Sequence, residues 1–356
     1  MTEQRAAYPY FKRGIAGYEQ EPAPRAEEAR PYDRRKAEAS ADYIPHEDLS
    51  HAVNVALALG MPLLLTGDPG TGKTQLAYAV AHDLQCPVHK FETKSTSAAK
   101  DLFYTYDALT AFKIKEAADP RQFIRYQALG RAILEAFPSN HPAVEKLLPP
   151  AGSPNHTHPG RPRRAVVLID EIDKAPRDFP NDLLNEIDRL HFRVPELQNI
   201  GSPGADAAER GEDESEQGVS PEFRPIVILT SNSEKGLPDP FLRRCVYYDI
   251  PFPEGDQMAK IVAARVKGVD AGDPMLADAL DLFYSLRHDK GLTKLAKEPS
   301  TAELLNWLHL LLHRGVAGGK SLKTQPDLVK QTISTLVKNS RDREEAIAFV
   351  DNWKAG

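Results

Sequence analysis

Four short stretches hold residue types whose spacing could do chemistry. Residues 67–74 read GDPGTGKT and fit the phosphate-binding pattern G-x-x-x-x-G-K-[ST]. Gly67, Gly70 and Gly72 let the backbone bend so that successive N–H groups point inward. Lys73 supplies a positive point charge for the β and γ phosphates of a nucleotide, and Thr74 a hydroxyl for Mg²⁺. Asp68, Pro69, Thr71 and Gln75 complete the set expected to surround the phosphates. Residues 166–173, VVLIDEID, run four apolar residues into Asp170 and Glu171. There Asp170 can hold the metal through water and Glu171 can polarise an attacking water. A third run, IVILTSN, ends in Asn232, an amide able to position that water. The fourth, LPDPFLRRC, offers Arg243 and Arg244 ahead of a strand. In a ring, one of them could reach a neighbour's γ-phosphate.

These groups need rigid elements to position them. Apolar runs at 62–67, 86–92, 164–171, 224–232 and 245–251 are separated by helical segments. That alternation predicts an α/β fold, with a buried parallel sheet covered on both faces. The run PLLLTG enters the glycine-rich loop, and a helix carrying Leu76, Val80 and Leu84 on one face leaves it, its positive end toward the phosphates. Upstream, Leu49, Val53 and Leu57 repeat at four-residue spacing, with Gly60 placed to close that helix. Beyond Pro253 the periodicity is helical throughout. The expected organisation is an arm at 1–42, a nucleotide-binding core at 43–253 and a helical domain at 254–356. Insertions fall at 95–162, read as aromatic helical pieces, and at 198–222, which includes the acidic stretch ADAAERGEDESEQG.

The chain has 356 residues and a net charge of −6, so no global basic field draws it to nucleic acid. No run approaches the roughly 20 apolar residues of a membrane span. Two cysteines, Cys86 and Cys245, are too few for a disulfide framework and read as buried thiols in a reduced, cytoplasmic protein. The histidines of NHTHPG (155–160) lack the further ligands a metal would need. The arginines of RPRR (161–164) read as solvated surface.

At these residues the chain resembles the AAA+ ATPases, and their MoxR-like branch in particular. The similarity spans about Tyr43 to Trp307 and is strongest in AVNVALALGMPLLLTGDPGTGKTQLAYAVA, DEIDKAPRDFPNDLLNEID and FLRRCVYYDIPFPE. The resemblance implies a P-loop NTPase αβα sandwich with a five-stranded parallel sheet, a smaller helical lid, and Mg·ATP bound between them at a subunit boundary. It implies hexameric or similar rings and a protein client, with von Willebrand factor A-domain proteins as the partner class. By position, it makes Asp170 the metal-side acid, Glu171 the catalytic base, Asn232 sensor 1, and Arg244 the arginine finger, with Arg243 as the alternative. The segment HFRVPEL through PEFRP resembles the hairpin that precedes sensor 1. One departure is plain. KEPSTAELLNW has no arginine where the lid usually places sensor 2, and Lys297 is no bidentate replacement. Two other readings stay open on the residues: a regulatory switch that assembles on ATP and gates an effector, or a nucleic-acid-directed motor related to restriction GTPases. The glycine-rich loop does not by itself choose ATP over GTP.

Overall fold

A computed structural model of the chain describes residues 42–114, 118–150, 152–153, 155, 158–206, 218–233, 237–287, 295–316 and 319–353. The arm up to residue 41 and residues 207–217 of the acidic stretch lie outside them. The chain divides into two compact units, with the boundary between Pro253 and Glu254.

In the first unit, α1 (Glu47–Leu59) carries two acids in its first turn and ends at Gly60, whose left-handed φ of 63° lets its N–H close on Ala56 O. Next come β1 (Leu63–Thr66), α2 (Lys73–Asp83) and β2 (Val88–Glu92). The first insertion contributes β3 (Tyr104–Tyr106), α3 (Ala108–Lys113), β4 (Ile124–Tyr126), α4 (Ala128–Glu135) and α5 (Pro142–Leu147). The chain continues through β5 (Val166–Asp170), α6 (Phe179–Arg189), β6 (Arg193–Val194), β7 (Ile200–Gly201), β8 (Ile226–Thr230), α7 (Asp239–Leu242) and β9 (Val246–Asp249).

The five expected strands form one parallel sheet in the order β2-β5-β8-β1-β9. Each central strand is buried on both faces, which is why these runs are apolar without alternation. Alternate residues still go to opposite sides. Val167, Ile169, Val227 and Leu229 meet α4, α5, α6 and α7. Val166, Leu168, Ile226 and Ile228 meet Leu49 and Ala56 of α1 and Leu76, Ala77 and Val80 of α2. Leu84 departs from its expected place on the buried face of α2: it caps the helix and is exposed.

The insertion is not purely helical. β3 and β4 pair antiparallel, Thr105 opposite Arg125, and α3 sits at the tip between them. The aromatic stretch divides between two fates. Phe103 is buried and stacks on Phe192 at 5.1 Å, whereas Phe112 and Leu109 on α3 are exposed. Phe192 also meets Tyr104 and Tyr126, and Tyr104 donates to Glu196, so the insertion packs against the β6–β7 hairpin.

Two arginines of RPRR are structural rather than solvated. Glu135 on α4 is almost wholly buried and accepts from His89 Nε2 (2.9 Å), Arg131 Nε (2.8 Å) and Arg163 Nε (2.9 Å). Arg164 donates to Arg224 O at 2.7 Å. Burial alone would raise the Glu135 carboxyl, but the donors from His89 and Arg163 lead those that hold it down at about 2. His158 pins its loop: Nε2 donates to Leu134 O and Nδ1 accepts from Gly160 N–H. His156 lies outside the described residues. Of the thiols, Cys245 is buried but Cys86 only partly so.

The second unit holds α8 (Gly255–Arg265), α9 (Pro274–Arg287), α10 (Thr301–His313), α11 (Pro326–Thr332) and α12 (Ser340–Asn352). Ser300 and Glu303 form a capping box that starts α10. Trp307, fully buried, donates its indole N–H to Thr332 at 2.9 Å. Lys297 is exposed in the segment before α10.

Candidate functional site

The carboxyl ends of β1, β5 and β8 lie side by side in the sheet, and each delivers part of one site. From β1 the chain enters the loop at 67–72, where Gly67, Gly70 and Gly72 take φ of 128°, 84° and 91°. A Cβ on Gly67 would stand 2.5 Å from Ile250 O, so only glycine fits this turn. The ring of Tyr43 lies against Gly72. Thr71 Oγ1 donates to Asp68 O at 3.0 Å, closing the loop on itself, while Asp68, Pro69 and Gly70 are exposed. Lys73, at the first position of α2, is 7% exposed and donates to the carbonyls of Gly67 (2.6 Å) and Asp68 (2.9 Å). Burial pushes its pKa down, against the pull of Asp68, Asp173, Asp170 and Asp249. Gln75, also in the first turn, has a buried Oε1 with no partner among the described residues.

Asp170 joins the strands. Its Oδ1 accepts from Thr74 Oγ1 at 2.9 Å and from Thr230 Oγ1 at 2.7 Å, and its Oδ2 lies 3.0 Å from Lys90 Nζ. Burial alone would raise this carboxyl, but Thr230, Lys90 and Thr74 hold it below the usual carboxylate range. Glu171 follows with φ 58°, a left-handed conformation that costs a non-glycine residue roughly 1 kcal/mol or more. Its N–H donates to Thr230 Oγ1 (2.9 Å), and its carboxylate pairs with Lys174 one turn on. Asn232 is exposed just past β8, and its N–H donates to Asp173 Oδ1 at 3.3 Å. Arg243 and Arg244 follow α7 and are exposed. Arg244 lies near Asn185 (3.5 Å) and Asp188 (3.8 Å) on α6.

The structure thus brings together Lys73, Thr74, Asp170 and Glu171. Three partners escaped the sequence reading: Thr230, Lys90 and Lys174. Thr230 carries a partial signal, a polar residue closing an apolar run, but its place beside β5 is known only from the sheet order. Lys90 offers no such signal.

A hydroxyl and a carboxylate in contact are hard oxygen donors of the kind Mg²⁺ prefers. A helix N-terminus behind a glycine-rich loop with left-handed turns suits phosphate. The residues therefore fit a Mg·nucleotide on the chemistry of their donors.

A five-stranded parallel sheet with this loop after β1 and an acidic strand end beside it defines a P-loop nucleotide-binding core. The AAA domain family, dynein-related subfamily, matches residues 62–245, and the chain belongs to it: this is an AAA+ protein. No curated protein matches the chain. Solved structures that align include a proline-to-glycine mutant of Thermotoga maritima RuvB, at 13% identity and a TM-score of 0.41, covering 88% of this chain and 73% of that one. The T. maritima RuvB Holliday junction branch migration motor aligns at 12% identity and a TM-score of 0.37, covering 85% and 67%. Among the described residues, no helix is long and apolar enough to cross a membrane.

Proposed function

We propose that the chain is a Mg²⁺-dependent ATPase of the MoxR-like kind that assembles into rings and remodels a protein partner. The observation that supports the Mg·ATP chemistry of this reading is the contact between Thr74 and Asp170 at the foot of the phosphate loop, with Lys73 and Glu171 beside it. The triphosphate lies along the loop 67–75. Lys73 leaves its two carbonyl partners for the β and γ phosphates, a geometry its short reach already prepares. Thr74 and Asp170 hold Mg²⁺, which when bound draws negative charge off the phosphate oxygens.

Glu171 takes a proton from the attacking water, and Thr230 fixes its backbone. Its pairing with Lys174 is half-exposed and so weakly held, which lets the carboxylate swing toward a substrate. Asn232 positions the water. The resemblance assigns Arg244, with Arg243 as the alternative, to the neighbouring subunit's γ-phosphate, and the long, solvent-screened contacts of Arg244 leave it available for that role. Ring assembly, with six subunits as the family's usual number, and a client bearing a von Willebrand factor A domain rest on the resemblance to MoxR-like ATPases.

Glu171→Gln tests the chemistry. The variant should bind ATP as the wild type does while turnover falls about 10²- to 10⁴-fold, the usual worth of a general base. Unimpaired turnover in a coupled phosphate-release assay would remove Glu171 from this role.

A further inference from the structure

Lys90 projects from β2, at the edge of the sheet, and its ammonium is shared between two carboxylates. Nζ is 3.0 Å from Asp170 Oδ2 and 2.9 Å from Glu92 Oε1. The two acceptors differ. The Asp170 side chain is 13% exposed and belongs to the metal-side cluster, whereas that of Glu92 is 72% exposed. Oδ1 of Asp170 is already occupied by the hydroxyls of Thr74 and Thr230. The ammonium therefore sits on the one carboxylate oxygen that those hydroxyls leave open.

We propose that Lys90 is a built-in counter-ion for Asp170: it competes with Mg²⁺ for that carboxylate and moves onto Glu92 when the metal binds. This inference rests on the reading of Asp170 as the metal-side acid. The physical argument is one of charge. An unneutralised carboxylate this buried is costly, so a metal-free site gains from a resident cation. The same cation then repels an incoming divalent ion at close range, where screening is weak. Glu92 gives the ammonium somewhere to go without being stripped of partners. A lysine ammonium, whose ordinary pKa is about 10.4, is a full charge at neutral pH and so competes as one. Such a device keeps Mg²⁺ affinity modest and ties metal retention to the presence of nucleotide phosphates.

The test measures binding, not turnover. A fluorescent ATP analogue is titrated onto the full chain at graded Mg²⁺ concentrations, and the Mg²⁺ giving half-maximal binding is read. Lys90→Met should lower that concentration about tenfold by removing the competing charge. Glu92→Gln should raise it about threefold by stranding Lys90 on Asp170. In the Lys90→Met background, Glu92→Gln should do nothing, because the refuge then has no occupant. Equal effects of Glu92→Gln in both backgrounds, or an unchanged or raised Mg²⁺ requirement in Lys90→Met, would overturn the proposal. Glu92 is on the surface, so Glu92→Gln keeps the test open should Lys90 variants not fold. A raised requirement then supports the proposal and an unchanged one overturns it. If the wild type binds no nucleotide at all, the functional reading fails too. If it binds with a Mg²⁺ dependence that Lys90→Met leaves intact, only the role of Lys90 fails.

Discussion

Asp170 collects three donors from three strands or helices, and each sets how firmly the carboxylate is aimed. Thr230 does double duty, donating to Asp170 and accepting from the Glu171 N–H. Thr230→Val keeps the shape and removes both bonds. The bond to the Asp170 carboxylate is worth about 1.5–3 kcal/mol and the neutral one from the Glu171 N–H about 0.5–1.5 kcal/mol, so the variant should lose roughly 2–4 kcal/mol of stability in chemical denaturation. ATP turnover should fall about tenfold or more as Glu171 loses its backbone anchor. Wild-type values for both would show that the network does not position the acids. At this scale the sequence is readable where chemistry is local. Lys73 and Thr74 sit together in one loop, and Asp170 and Glu171 are adjacent. Thr230 and Lys90 reach Asp170 from separate strands, and only the sheet order, which spacing along the chain does not encode, makes them neighbours.

Elements hold that arrangement through two close fits. Gly130 on α4 passes so near the preceding segment that a Cβ would stand 2.1 Å from Phe103 O. Gly130→Ala should therefore push α4 off its neighbour and cost about 1–3 kcal/mol, read as a lower unfolding midpoint. An unshifted midpoint would mean the segment yields freely. The second fit is the Glu135 cluster, which ties α4 to β2 and to the entry of β5. Its folded pKa, at about 2, lies below the unfolded value near 4.5, so its stabilisation is present above pH 4.5 and is lost as pH falls toward 2. That difference corresponds to about 3 kcal/mol. Urea melts of Glu135→Gln should be destabilised by about 3–5 kcal/mol at pH 7, with a flatter pH dependence between 4.5 and 2. An equal slope in both proteins would remove Glu135 as the source.

The three central strands β1, β5 and β8 were legible because both-face burial leaves unbroken apolar runs, whereas the edge strands β2 and β9 alternate with exposed residues. The β3–β4 hairpin was not, since three-residue strands built on tyrosines give no period to count. Nor was the partnership of Arg163 with Glu135, because a buried ion cluster looks like surface charge until the fold closes over it.

For the whole molecule, the proposed ring makes activity a property of assembly. An arginine supplied across a subunit boundary is worth about 10³–10⁵ in rate, or roughly 4–7 kcal/mol. Arg244→Ala and Lys73→Ala subunits should each be inactive alone and regain part of wild-type turnover when mixed, because a mixed ring rebuilds some intact sites. No recovery at any ratio would place the finger elsewhere. All of this depends on the loop at 67–75 gripping a triphosphate. Calorimetric titration of ATP with Mg²⁺ into wild type and Lys73→Ala tests that grip most directly. The account predicts at least about a 100-fold loss of affinity, from two charge-assisted hydrogen bonds of roughly 1.5 kcal/mol or more each. Undiminished micromolar binding by Lys73→Ala would contradict it.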